Sequence, residues 1–350
     1  VEIRSFDDAP VERRVQDDRE RDALVRASAN ASFFHLSGWR RAVTRVFEHE
    51  PRDLIAWQDG RIVGVLPLFT CRSPLGTKHL VSVPYGVYGG PVGTTREVER
   101  ALADAAVAMA KRDGVGRLEL RCREDPGLDL VPSTLYATFL QPLPDTKDEV
   151  WTRMPKRARA EVRKAIEKHG LVMNQGDWYL NDLFEMFHLS KKGLGSPGLP
   201  KSWFVALKEE LGDDVVLHLA RTPEQPIAAT MSFVFRDTIY FYYIGTVADA
   251  NRNYNATNFL VTRLQEWGVE RGLKVFDLGR SRVDSGPYEF KKHQGFEPTS
   301  LHYRYALVKS RELPSFNPSN PKTEKLRETW AKLPSWLTKP LSAQLMRYLP

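Results

Sequence analysis

Two adjacent lysines, Lys291 and Lys292, stand among aromatics in the run Tyr288-Glu289-Phe290-Lys291-Lys292, shortly after an apolar segment, Val275 to Leu278, that holds one carboxylate, Asp277. An ammonium held beside a carbonyl or phosphate can stabilise negative charge that develops there. A nearby carboxylate can fix that ammonium or accept a proton. The apolar segment follows Gly272, a residue type that stops helices, so it reads as a buried strand entered directly from a helix. At its exit the chain turns polar, Gly279-Arg280-Ser281-Arg282, and strand exits are where α/β folds place chemistry. Arg280, Ser281 and Tyr288 are therefore candidates for substrate contact. The competing reading is a solvated turn, because lysine pairs are common on surfaces.

A second cationic feature lies in the middle of the chain, Lys156-Arg157-Ala158-Arg159-Ala160-Glu161-Val162-Arg163. Helical spacing places Arg159 and Arg163 at i and i+4, one stripe that could hold phosphates or simply face water. A glycine-rich run, Tyr85-Gly86-Val87-Tyr88-Gly89-Gly90, could form an anion-binding nest, but it matches no phosphate-loop pattern and reads more readily as a tight turn beside the core. Cys71 and Cys122 are far apart and the histidines show no ligand spacing, so neither a disulfide framework nor a catalytic metal is expected. The net charge of +7 suits anionic partners without the density of a dedicated nucleic-acid binder. No run approaches a spanning helix and the start is unlike a secretory signal, so the expected location is cytoplasmic.

The elements that must position these residues occur twice. A hairpin signal at 53–70, a strand at 80–84, a helix ending at Gly114 with a Thr94/Glu97 capping box, and strands at 117–122 and 135–140 form one series. The series 215–235, 239–244, 255–271, 274–278 and 301–308 repeats it at an offset of roughly 160 residues, too long for a solenoid repeat. The expectation is a tandem α/β (α+β) fold with mixed central sheets: a domain over 1–145, a second over 146–312, and a helical tail over 313–350. The tail begins with Pro314, Pro318 and Pro321 as a linker. Its segment 323–349 interleaves Leu and Trp with Lys and Arg, so it could lie on a membrane surface or dock back on the body.

The duplicated unit, FDLGRS (276–281), YEFKKHQGFEP (288–298), FFHLSGWRRAV (33–43) and RARAEVRKAIEKHGL (157–171) resemble the Fem-type branch of the GNAT acyltransferase superfamily. VPYGVYGGPV (83–92) and NPSNPK (317–322) resemble most closely its FemAB-like members associated with PEP-CTERM/exosortase and exopolysaccharide loci. The resemblance implies tandem GNAT-like domains and acyl or aminoacyl transfer to an amine with no covalent enzyme intermediate. It implies Lys291, with Lys292 as its neighbour, as the cation beside the reacting carbonyl. Arg159, Arg163 and Arg41 near Trp39 fall on phosphate-holding positions, and Tyr85 and Tyr88 lie in the subfamily's motif. The region 251–258 lacks the pyrophosphate loop of ordinary GNAT enzymes, and no long helical hairpin is present.

The function expected is acylation of an amine on a cell-envelope glycan or peptidoglycan-type precursor bound between the halves. The donor would be acyl-CoA or aminoacyl-tRNA, with no tightly bound cofactor. The partners would be an anionic glycan or nucleotide-linked precursor, tRNA if it is the donor, and the inner face of the membrane through the tail. The alternative is a non-catalytic module that binds RNA or an anionic polysaccharide, which would show a steep salt dependence.

Overall fold

A computed structural model describes residues 1–5, 11–313 and 321–350 of the chain. Pro314 and Pro318 of the expected linker, and most of the 317–322 run, lie outside the described residues. The chain divides into two compact units: Val1–Leu135 with Ser300–Phe316 and Gln344–Pro350, and Tyr136–Thr299 with Asn317–Ala343.

The first unit contains β1 (Glu2–Ser5), α1 (Val11–Ala27), α2 (Ser37–Phe47), β2 (Glu50–Pro51), β3 (Leu54–Gln58), β4 (Arg61–Leu66), β5 (Phe69–Arg72), β6 (Lys78–Val81), β7 (Val92–Gly93), α3 (Arg96–Arg112), β8 (Arg117–Cys122) and β9 (Val131–Ser133). Helix α3 buries Val98, Leu102, Ala106 and Met109, a 3.6-residue stripe, against Leu54, Leu66, Leu80, Leu118 and Leu120 of the strands. Its N-cap is Thr95, one residue beyond the expected Thr94, and the Thr95 hydroxyl accepts from Val98 N–H. At the centre of this unit the Arg21 guanidinium, wholly buried, donates to Asp53 at 2.5 Å and to His35 O at 2.9 Å. A charge so placed is tolerable only when it is paired, as both Nη atoms of Arg21 are here.

The second unit contains β10 (Tyr136–Pro142), α4 (Lys147–Arg153), α5 (Lys156–Glu167), β11 (Val172–Gln175), α6 (Leu180–Gly193), α7 (Lys201–Leu211), β12 (Val215–Arg221), β13 (Pro226–Phe235), β14 (Thr238–Thr246), α8 (Ala250–Tyr254), α9 (Ala256–Glu270), β15 (Val275–Arg282), α10 (Gly286–His293) and β16 (Pro298–Ser300). They are followed by β17 (His302–Leu307), α11 (Pro321–Lys332) and α12 (Ser335–Met346). The seven-stranded sheet runs β11-β12-β13-β14-β15-β10-β16. Two apolar runs joined by the short Arg236-Asp237 turn are why the β13–β14 hairpin is readable from sequence. Helix α6 packs so closely on β14 that a Cβ at Gly245 would collide with the backbone of Met186 and Phe187.

In both units an antiparallel pair is followed by a helix and a parallel strand: β5, β6, α3, β8 in one, and β13, β14, α9, β15 in the other. The repeat expected from sequence therefore exists at the level of topology, in a mixed α/β fold with helices at the C-terminus. The last strand of each series differs from the expectation. β10 pairs with β15, and β17 pairs with β8, so 136–142 completes the second unit and 302–307 completes the first. Strand-forming residues carry no mark of which sheet they will join, so sequence order suggested the opposite assignment. The tail also divides: α12 belongs to the second unit up to Ala343 and 344–350 to the first.

Candidate functional site

The second unit's parallel pair is short. β14 and β15 are in register only at Thr238–Val275, Ile239–Phe276 and Tyr240–Asp277. Beyond that rung β14 continues to Thr246 on β13 alone, and β15 continues to Arg282 on β10 alone. The two strands diverge, leaving an opening between neighbouring strands at their C-terminal ends. Two irregularities flank it. The β13 register steps between Met231–Tyr243 and Ser232–Phe241, which makes Tyr242 an inserted residue, and the β10 register shifts opposite 278–279. Gly279 sits at φ +68°, in the left-handed region that favours glycine, and Asp277 Oδ1 accepts its N–H at 2.5 Å.

The polar run expected at the strand's exit is thus part of the strand. Arg280 is half-buried with its guanidinium 4.3 Å from the Tyr136 ring centroid. Ser281 is buried and its hydroxyl has no hydrogen-bond partner. The chain then turns into α10, capped by Ser285 accepting from Tyr288 N–H. One helical turn carries Lys291 back over β15, where its Nζ donates to Gly279 O at 2.8 Å and Arg280 O at 3.1 Å and lies 5.2 Å from the Phe139 ring centroid. Tyr288, one turn earlier, packs edge-on against the same Phe139. Burial lowers the Lys291 ammonium to about 7; Asp277 opposes the shift and Arg280 adds to it. Lys292 points the other way, exposed, 3.9 Å from Glu289 and over the Tyr288 ring. The geometry brings Asp277, Arg280, Ser281, Tyr288 and Lys291 to one place and leaves Lys292 in water.

Helix α9 begins at the same end of the sheet. Asn251 Oδ1 accepts Thr257 N–H at 2.9 Å, so the chain's own side chain occupies a helix start that could otherwise bind phosphate. On α5, Arg159 is half-buried and Arg163 exposed, and with Lys156, Lys164 and Lys168 they border an open depression of about 560 Å³. Neither arginine forms an ion pair with a described residue. α5 lies against α9, where Asn258 donates to Glu161, and its first residues meet the end of α10, Pro155 lying against Gly295.

The first unit presents a contrast. Its parallel pair is two rungs long, Leu80–Leu118 and Val81–Glu119, and beyond it the space is filled by the chain itself. Arg121 Nη1 donates to Val83 O and Gly86 O, both at 2.9 Å, and its Nε donates to Glu119. Gly89 N–H returns to Arg121 O. Of the residues expected here to meet substrate, Trp39 and Tyr88 lie within this packing, Tyr85 is half-buried and Arg41 is exposed. Trp39 is wholly buried, edge-on to Phe33 and Phe34, with its indole N–H on Pro84 O. Tyr88 is 1% exposed. Tyr85 stacks on Phe47 and donates to Met346 O. Arg41 pairs with Asp18 at 3.2 Å. Aromatic side chains beside glycines satisfy a packed interior as readily as a ligand, and the sequence carried no signal to separate the two. Arg121, which sequence reasoning passed over, looked like an ordinary strand residue.

Residues 152–292 match the family described as Acetyltransferase (GNAT) domain, a span that contains the diverging strands and Lys291. Solved structures share the fold: FemX, 14% identical, TM-score 0.65, over 83% of this chain and 96% of that one; L-PGS from Bacillus licheniformis, 17%, 0.54, over 90% and 97%; and a tandem GNAT protein from the clavulanic acid biosynthesis pathway, 14%, 0.50, over 90% and 99%. No curated protein matches the sequence. Fold and domain together define an N-acyltransferase. The matching GNAT domain implies acyl-CoA as a donor rather than a tightly bound cofactor. No described helix is long and apolar enough to cross a membrane.

Proposed function

We propose that the second unit transfers an acyl or aminoacyl group from a thioester or ester donor to a primary amine on an anionic cell-envelope precursor, in the manner of the FemAB-like proteins of exosortase loci. The observation that carries this reading is the opening between β14 and β15 with Lys291 held at its edge. A carbonyl lying there would develop its oxyanion beside an ammonium, worth about 3 to 4 kcal/mol in the transition state. Lys291 is the catalytic cation in this reading; Asp277 holds the bulge that aims it, and Lys292 is its exposed neighbour. Arg280, Ser281 and Tyr288 line the acyl side.

The acceptor would be a glycan or nucleotide-linked precursor whose phosphates meet Arg159 and Arg163 on α5, two arginines that form no ion pair with a described residue. Arg41, already paired with Asp18, would be at most a peripheral contact. The donor is acyl-CoA or aminoacyl-tRNA. The Asn251 side chain on the start of α9 favours a donor that makes no pyrophosphate contact there, which supports the tRNA alternative. The domain reading is a first unit that scaffolds and a second that reacts. The tail segment 323–349, with Trp336 and Leu326 exposed, would bring the protein to the inner face of the membrane.

The test is product formation. Acetyl-CoA and lysyl-, alanyl- and seryl-tRNA are each offered with a UDP-linked muramyl peptide and with a polyanionic exopolysaccharide repeat, and products are weighed by mass spectrometry. Release of thiol or free tRNA without a new amide on any acceptor would sink the reading.

A further inference from the structure

We propose that Lys291 also takes the proton from the attacking amine, entering the reaction neutral and becoming the cation only as the C–N bond forms. This deepens the reading of the acyl-transfer site just given and rests on it.

The argument begins with the corners of a tetrahedral nitrogen. Two are fixed: Nζ–H bonds run to Gly279 O and Arg280 O, both backbone carbonyls of β15. A neutral amine has two N–H bonds and one lone pair, so it makes both hydrogen bonds without loss, and its remaining corner carries the lone pair. An ammonium would place a third N–H at that corner. Backbone carbonyls are neutral and do not demand a cation as a carboxylate would. No described carboxylate forms an ion pair with Lys291. The charged and titratable groups around it are few. From β15 these are Asp277, which favours the ammonium, and Arg280, which disfavours it; from β10, Phe139 presents only a ring face, and Tyr136 lies under Arg280. On α10 itself, Glu289 and Lys292 face each other at 3.9 Å. Burial decides the balance and leaves the amine near its midpoint in neutral solution.

The step balances. The acceptor's neutral amine attacks the thioester carbonyl; a C–N bond forms and the C=O π pair moves to oxygen. The amine's proton passes to Lys291 Nζ, whose new charge stands beside that oxyanion. The intermediate collapses, the C–S bond breaks, and the thiolate takes the proton back from Lys291. For an aminoacyl ester the C–O bond breaks and the leaving alkoxide oxygen takes the proton to become the free hydroxyl. A permanent cation could perform the stabilisation but not the transfer.

The two roles give different pH dependences, and the titration can be read without turnover. Competitive labelling with trace acetic anhydride across pH 5 to 11, followed by peptide mass spectrometry, should show Lys291 half-maximally reactive near 7, while exposed lysines respond near 10, about a thousandfold separation at fixed pH. A Lys291 that labels with the exposed lysines overturns the proposal, whether or not a donor is consumed. Thiol release from acetyl-CoA with glucosamine as the probe amine should rise about a hundredfold per pH unit below 7, one factor of ten from the probe amine's own deprotonation and one from Lys291, and only about tenfold in Lys291→Arg, which keeps charge but cannot accept a proton. A tenfold limb in the wild type, with Lys291→Arg equally active, would leave Lys291 a fixed cation and overturn the proton transfer alone. Full activity of Lys291→Met would remove both this inference and the reading beneath it.

Discussion

Asp277 Oδ1 receives the N–H of Gly279 across 2.5 Å, and through that bond a buried carboxylate holds the bulge whose carbonyls carry Lys291. The carboxylate thus acts on the lysine twice, through the shape of β15 and through its charge.

The two effects separate by substitution. Asn at 277 keeps an Oδ1 acceptor, so Asp277→Asn should unfold within about 1 kcal/mol of wild type, whereas Asp277→Ala should cost about 1.5 to 3 kcal/mol by leaving Gly279 N–H unpaired. Urea denaturation reads both. Asn should also move Lys291's titration below its wild-type point, since the Asp277 charge that favours its ammonium is gone.

Lys291→Met retains the stem over Phe139 and deletes the charge. Turnover of whichever donor is accepted should fall by about two to three orders of magnitude, in kcat and kcat/KM together, with melting temperature nearly unchanged. Lys292→Met should be close to wild type, because that side chain is exposed beside Glu289.

Arg159→Ala and Arg163→Ala should each weaken binding of a UDP-linked muramyl peptide by about 1.5 to 3 kcal/mol if each makes a charge-assisted hydrogen bond to phosphate. Calorimetry at two salt concentrations is the measurement. Unchanged affinity in both variants would return α5 to an ordinary solvated helix.

Gly245→Ala tests the packing that supports β14. The new methyl would meet backbone of α6 rather than a movable side chain, so a loss of about 1 to 3 kcal/mol or more is expected on thermal or urea unfolding.

Burial depresses His35, His49, His79 and His218 from 6.5 to about 4. Between those values the unfolded chain binds more protons than the folded one, so stability should rise with pH from 4 to 6.5 and be lost as pH falls through that window. His218, buried against Trp267 with neither ring nitrogen hydrogen-bonded, is the clearest single case. His218→Phe should flatten part of this acid limb; an unaltered slope in a urea series at pH 4.5 and 6.5 would contradict it.

The hairpin 226–246 and the strand starting at 275 were legible because apolar runs, the turn between them and the Gly272 stop are local signals. Lys291 stood out because its neighbours are aromatic. The continuation of β15 through Gly279-Arg280-Ser281-Arg282 was hidden by its polarity, which suits an edge that leaves β14 and faces an opening. Trp39, Tyr85 and Tyr88 show the opposite case: their chemistry fits ligands, and only the fold reveals their contacts with Phe33, Phe34, Phe47 and Met346. Nothing in 302–307 announces that it will pair with β8 rather than extend the nearer sheet.

That exchange of final strands has a genetic consequence. A fragment ending near residue 145 would carry β10 without β15 and lack β17 beside β8; one beginning near 146 would show the reverse defect. Each product would expose a bare ladder edge of the kind that recruits other chains. Gene fission at the apparent midpoint should therefore yield insoluble halves. Either half, if rescued, should need the missing strand supplied as a peptide, so the duplication is indivisible by simple cutting.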